Sequence, residues 1–156
     1  MTPSDASIAQ RTSWLAILAH APRDELEMRT ADAIEGHAFE WLRPPETGLA
    51  MVRARIANEG DRFNVGEVTM TRCVARVEVQ GVVTAGVGYT LGRDDERARW
   101  VAQLDALLQH ASLRDELLRC IVEPLREARA REVADEATLH ATSRVAFYTL
   151  QPEPGA

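Results

Sequence analysis

At 156 residues, with 46% hydrophobic and 27% charged side chains, the chain has the composition of one compact domain with a real core and ends that fray at 1–5 and 151–156. A formal net charge of -6 argues against sequence-independent binding to a nucleic-acid backbone, which needs a clustered basic surface. No apolar run approaches the roughly 20 residues that span a bilayer, and the first residues lack the basic and apolar segments of a signal peptide, so the expected location is the cytoplasm.

From Ser4 to His20, the residues Ile8, Leu15, Leu18 and Ala19 recur at helical spacing, and Ser4 or Asp5 can cap the first turn. Pro22 then suits the first position of a second helix that runs toward Gly36, a natural stop. Phe39 to Leu42 reads as a short strand, ended by Pro44-Pro45 because neither proline can donate to a ladder. Leu49 to Ala57 alternates as a second strand, and Asn58-Glu59-Gly60-Asp61 has the residues of a turn. Val68 to Val79 alternates again, and Gln80-Gly81 predicts a tight hairpin into Val82 to Leu91, where Val83, Ala85, Val87, Tyr89 and Leu91 share a side.

Asp94-Asp95-Glu96 opens a helix whose positive dipole end favours acids, with Trp100, Leu104, Leu107 and Leu108 as its apolar stripe. Leu113, Leu117, Leu118 and Ile121 continue after a break near His110-Ala111-Ser112, and Pro124 kinks or restarts the helix that carries Leu125 to His140. Arg144 to Leu150 alternates as a last strand that returns to the sheet or reaches a neighbouring subunit. The expected class is α+β: an antiparallel sheet of about four strands, N-terminal helices, and a C-terminal helical region followed by the last strand.

All 18 basic residues are arginine, which a codon bias explains more simply than selection for anion contacts. If their strands lie side by side, Arg53, Arg55, Arg72 and Arg76 share a face with Leu49, Met51, Met70 and Val74. Such a face has three uses: a solvated surface with weak ion pairs, a protein interface, or a phosphate site. Gly86, Gly88 and Gly92 only superficially evoke a phosphate loop, since Gly86 and Gly88 fall inside a strand, where glycine instead permits a bulge or the close approach of another chain. His20, His37, His110 and His140 are scattered near helix ends, with no metal-ligand spacing. Cys73 and Cys120 have no paired spacing for a disulfide framework or a zinc site, and Cys73 has no evident base, so no nucleophilic triad is supported.

Taken in order, Trp14-Leu15-Ala16-Ile17-Leu18-Ala19-His20, Glu46-Thr47-Gly48-Leu49, Arg62-Phe63, Gly66-Glu67, Thr69-Met70-Thr71-Arg72, Gly88-Tyr89, Gly92-Arg93 and Ser143-Arg144-Val145-Ala146-Phe147-Tyr148-Thr149 resemble the PhnG family of the bacterial carbon-phosphorus lyase machinery over nearly the whole chain. The resemblance implies a core assembly with PhnI, PhnH and PhnJ, helped by PhnL, which displaces adenine from ATP with a phosphonate to form a ribose 1-phosphonate 5-triphosphate. It implies that ATP and phosphonate are substrates of the complex, that the iron-sulfur cluster and S-adenosylmethionine belong to a partner, and that this chain binds no cofactor or metal itself. No catalytic group carries over. Arg53, Arg72, Arg93 and Arg144 are the candidates for interface or phosphonate and triphosphate contacts, in a subunit that forms a homodimer alone or within the complex. The rival expectation is a stand-alone homodimeric ligand-binding or regulatory module with the same fold.

Overall fold

A computed structural model describes residues 5–56 and 60–142. Helices α1 (Asp5–His20) and α2 (Arg23–Ile34) precede strands β1 (Phe39–Arg55), β2 (Arg62–Val79) and β3 (Val82–Leu91). Helices α3 (Asp95–Leu108), α4 (Ala111–Leu117) and α5 (Glu123–Thr142) follow, with a π-helical turn at Leu118–Val122 joining the last two. The sheet is an antiparallel meander in the order β1-β2-β3, so the described residues are α+β with three strands. The expected strand from Arg144 to Leu150 lies outside the described residues.

The expected break at Pro44-Pro45 does not occur. β1 runs through both prolines because it is an edge strand and because its register with β2 slips between Trp41 and Arg43 and again between Arg43 and Glu46. Each slip leaves one β1 residue unpaired, and an edge bulge is where a residue lacking an N–H is tolerated. The two expected strands around the prolines are therefore one. At the far end of β2, Gln80 and Gly81 both take positive φ, 52° and 78°, as a two-residue hairpin requires.

Helix α3 is the centre of the molecule. Ala98, Ala102 and Ala106 pack against Cys73, Ala75 and Val77 of the sheet, while Val101, Leu104 and Leu108 pack on the other side against Trp14, Leu18, Leu26, Ile121 and Leu125. The apolar face of α1 is thus Trp14, Leu18 and the following Ala21, and Ile8, expected in that stripe, is exposed. Asp94 caps α3, its Oδ1 accepting from Arg97 N at 3.0 Å. Arg23 pairs with Asp94 and Glu96 and lies 5.3 Å from the ring centroid of Trp100, tying the start of α2 to α3. Although burial opposes it, the Arg97 amide and the Arg23 guanidinium hold the Asp94 carboxyl below its ordinary pKa.

The side of β3 carrying Ala85, Tyr89 and Leu91 is not the core side. Gly86 and Gly88 face α3, whose backbone approaches too closely there for any side chain, and the buried Thr90 shares their side of the strand. At Pro124 the missing N–H is accommodated just upstream: Glu123 N donates to Leu118 O across a π turn, and the helical path continues into α5.

His110 closes the end of this layer. Its Nε2 lies 2.7 Å from Thr84 Oγ1, whose single hydrogen is donated to Ala106 O at 2.8 Å, so the neutral ring carries its proton on Nε2 and donates it to Thr84. Burial and then the neighbouring His37 push the His110 pKa below its ordinary 6.5. The unfolded chain binds this proton near pH 6.5 and the folded chain resists it, so the stability contribution is present above that pH and is lost as pH falls further. Urea midpoints should therefore drop between pH 7 and about 5.5 more steeply in the wild type than in His110→Gln. Parallel pH profiles would exclude His110 as the cause.

Candidate functional site

The expected arginine cluster is divided by the register of the sheet. Arg72 and Arg76 lie on the face away from α3, opposite Glu46 and Glu40. Arg72 Nε donates to Glu46 Oε1 at 2.6 Å and Arg76 Nη2 lies 2.6 Å from Glu40 Oε2, with both arginine side chains about half exposed. Arg43 adds a longer contact of 3.6 Å to Glu46. Exposed pairs of this kind stabilise by at most about 1 kcal/mol.

Arg53 and Arg55 lie elsewhere. Thr47 Oγ1 is 3.1 Å from Thr71 Oγ1, which places Thr47 on the α3 side of the sheet, and β1 alternates without interruption from there through Leu49, Met51, Arg53 and Arg55. The slip between Val52 and Arg53 is an extra residue in β2, so it does not disturb β1. Arg53 opposes Asn64, eight residues along β2 from Arg72 and hence roughly 26 Å away at strand rise. The four guanidinium groups therefore form neither one face nor one cluster. Arg93 is exposed in the turn between Gly92 and the α3 cap, and Arg144 lies outside the described residues.

What the strands build instead is a projecting ribbon. β3 pairs with β2 only from Met70 onward, so Gly48–Arg55 and Arg62–Thr69 continue as a two-stranded arm beyond the helix-backed part of the sheet. The arm carries Leu49, Met51, Val52, Phe63, Val65 and Ile56 at its end, with Leu49 and Ile56 each 66% exposed and Val65 59% exposed. Two strands alone are marginal in water, and the exposed apolar residues stand on both faces of the arm, Leu49 and Met51 on one and Val52 and Phe63 on the other, so burying them takes a partner that wraps the arm. The sequence signal was the alternation itself, in which Leu49 and Met51 share a side with arginines.

Among the described residues, no group of three or more His, Cys, Asp or Glu could hold a metal ion, and no helix is long and apolar enough to cross a membrane. Cys73 is buried, donates to Ala98 O at 3.1 Å, and has its thiol pKa raised by burial to about 11, so it is a poor nucleophile. Cys120 is exposed.

A bulged antiparallel sheet backed by one alanine-lined helix, with a two-stranded ribbon of exposed apolar residues beyond it, defines a small α+β protein. A family model described as "Phosphonate metabolism protein PhnG" matches residues 9–151. The chain is 40% identical over 152 residues to the alpha-D-ribose 1-methylphosphonate 5-triphosphate synthase subunit PhnG of Rhizobium meliloti (strain 1021), covering 96% of this chain and 93% of that protein. The chain belongs to the PhnG family of phosphonate metabolism proteins.

Proposed function

We propose that this chain is an assembling subunit of an alpha-D-ribose 1-methylphosphonate 5-triphosphate synthase in the cytoplasm, supporting the displacement of adenine from ATP by a phosphonate without performing it alone. The observation that carries this reading is the apolar ribbon, whose exposed Leu49, Phe63 and Val65 gain most from a partner that buries them. The catalytic partner is PhnI, in a core with PhnH and PhnJ and with PhnL acting alongside, and this chain brings no cofactor or metal of its own. Arg53, Arg72 and Arg93 serve as rim contacts around that interface, and a second copy of the chain completes a homodimer within the core.

Co-expression with PhnI tests the proposal. The wild type should co-purify with PhnI, whereas Leu49→Glu combined with Phe63→Glu should lose the complex while shifting the stability of the isolated chain by only about 0.5 kcal/mol per exposed site. Arg72→Ala should weaken assembly less, since it removes a half-exposed pair. A stable monodisperse monomer that never binds PhnI would overturn the reading.

A further inference from the structure

Of the described strands, β3 alone carries no charged residue, and its two sides reverse the usual pattern. An antiparallel strand with one wet side puts apolar residues inward and polar residues outward, whereas an uncharged strand is characteristic of a sheet covered on both faces. In β3 the small and polar residues are the inner ones. Gly86 and Gly88 lie against α3, Thr84 Oγ1 donates to Ala106 O at 2.8 Å, and Thr90 shares their side. By alternation Val83, Ala85, Val87, Tyr89 and Leu91 point away from α3, with Val83 52% exposed, Tyr89 45% and Leu91 61%. On the same face of β2, Val74 stands beside Val87 and Met70 beside Leu91.

The shape of this strip limits what can cover it. From Val83 to Leu91 it runs about 27 Å at strand rise, the length of a helix of about 18 residues, and its two strands span roughly one helix diameter. On the β1 side it ends at the Arg72–Glu46 and Arg76–Glu40 pairs, which spend their charges on each other. On the other side lies the free edge of β3, which is closed to an added strand at its middle. Arg11 Nη2 and Gln109 Nε2 donate to Ala85 O at 3.3 and 2.8 Å, and Asp105 Oδ2 accepts from Val87 N at 2.9 Å. A second copy laid face to face is also disfavoured, since a two-fold axis across the strands stacks β2 on β2 and sets the arginine column over itself.

We infer that the outer face of β3 receives an amphipathic helix of a partner chain, laid along the strand with an uncharged apolar stripe against Val83, Val87, Tyr89 and Leu91. The stripe is uncharged because the strip offers apolar area and its bordering charges are already paired. The inner side of β3 shows the fit: four helical residues rise about 6 Å and two strand residues about 6.6 Å, so a helix can follow the outer residues as α3 follows Gly86 and Gly88. The face is a property of this chain, and only the source of the helix rests on the assembly proposed above.

The test places single cysteines on the strip, Val83→Cys, Tyr89→Cys and Leu91→Cys, each in a Cys120→Ser background that leaves only the buried Cys73. In the isolated full-length chain all three should react readily with a maleimide, and in the core purified with PhnI, PhnH and PhnJ each should react about tenfold or more slowly. A photo-crosslinking residue in place of Val87 then identifies the cover: cross-links three and four residues apart along one segment of a partner chain are expected for a helix. Cross-links at every second position, to a second copy, or to residues 143–156 of this chain would overturn the inference. So would cysteines that are slow in the isolated chain. A core that forms and leaves the three cysteines as reactive as before overturns this inference alone, whereas a chain that never enters the core overturns the assembly reading with it.

Discussion

Gly88→Ala is expected to destabilise the protein by about 3 kcal/mol or more, the upper end for overpacked interiors and a large share of the ~5–15 kcal/mol that holds a domain together. A Cβ at Gly88 would stand 2.0 Å from Ala98 O and 2.9 Å from Ala98 C. At Gly86 it would stand 2.0 Å from Ala102 O and 2.3 Å from Ala106 N. The opposing atoms are helix backbone, which cannot rotate aside as a side-chain end can, so α3 would have to lift off the sheet. That motion would also stretch the Cys73 Sγ to Ala98 O and Thr84 Oγ1 to Ala106 O hydrogen bonds. Gly48 and Gly66, with nothing within 4 Å of an added Cβ, are the controls. Alanine there should change stability by no more than about 0.5–1 kcal/mol, in either direction. Urea unfolding of the four variants separates the cases, and a Gly88→Ala midpoint close to that of Gly48→Ala would refute the close approach.

This seam shows how far the sequence could be read. The glycines pointed to a close approach of chain, but the approaching element is the protein's own α3 and not a second molecule. The matching signal was present in Ala98, Ala102 and Ala106: four helical residues rise about 6 Å and two strand residues about 6.6 Å, so alanines at every fourth position can follow Thr84, Gly86 and Gly88 step for step. Capping by Asp94 and the Gln80-Gly81 hairpin were legible because they are local. β1 was not, since whether Pro44-Pro45 ends a strand depends on its lying at a sheet edge, and edge position is a property of the assembled sheet. The arginine cluster failed for the same reason. Alternation gives the side of a strand on which Arg53 and Arg72 stand, but only register gives the distance between them. The pairing of Arg72 with Glu46 is likewise a cross-strand fact, invisible to spacing along the chain.

The residue that the sequence concealed most fully is Asp105, and its loss is the other large effect expected. An acid one position beyond Leu104 in an amphipathic helix reads as a solvated residue, yet Asp105 is 0% exposed. Its Oδ1 accepts from Arg11 Nε at 3.1 Å and Trp14 Nε1 at 2.9 Å, and its Oδ2 accepts from Arg11 Nη2 at 2.7 Å and Val87 N at 2.9 Å. One carboxylate thus joins α1, α3 and the edge of β3. Arg11 Nη2 and Gln109 Nε2 also reach Ala85 O, at 3.3 and 2.8 Å, so side chains occupy part of an edge that would otherwise invite another strand.

Asp105→Ala should cost about 3–5 kcal/mol, because it strands three donors at once rather than removing one bond. Arg11, with a side chain 34% exposed, can turn toward water, whereas the buried Trp14 indole and the Val87 amide cannot. Asp105→Asn preserves the volume but sets an NH₂ against two donors, and should recover only part of the loss. In a double-mutant cycle, Asp105→Ala with Arg11→Ala should cost less than the sum of the single changes, since each alone leaves a charge without its partner. Amide exchange adds a local readout: Val87 should exchange faster in Asp105→Ala even where global unfolding is suppressed. A loss below about 1 kcal/mol, with Val87 exchange unchanged, would mean that α1 is held on the sheet by the apolar contacts of Trp14 and Leu18 alone.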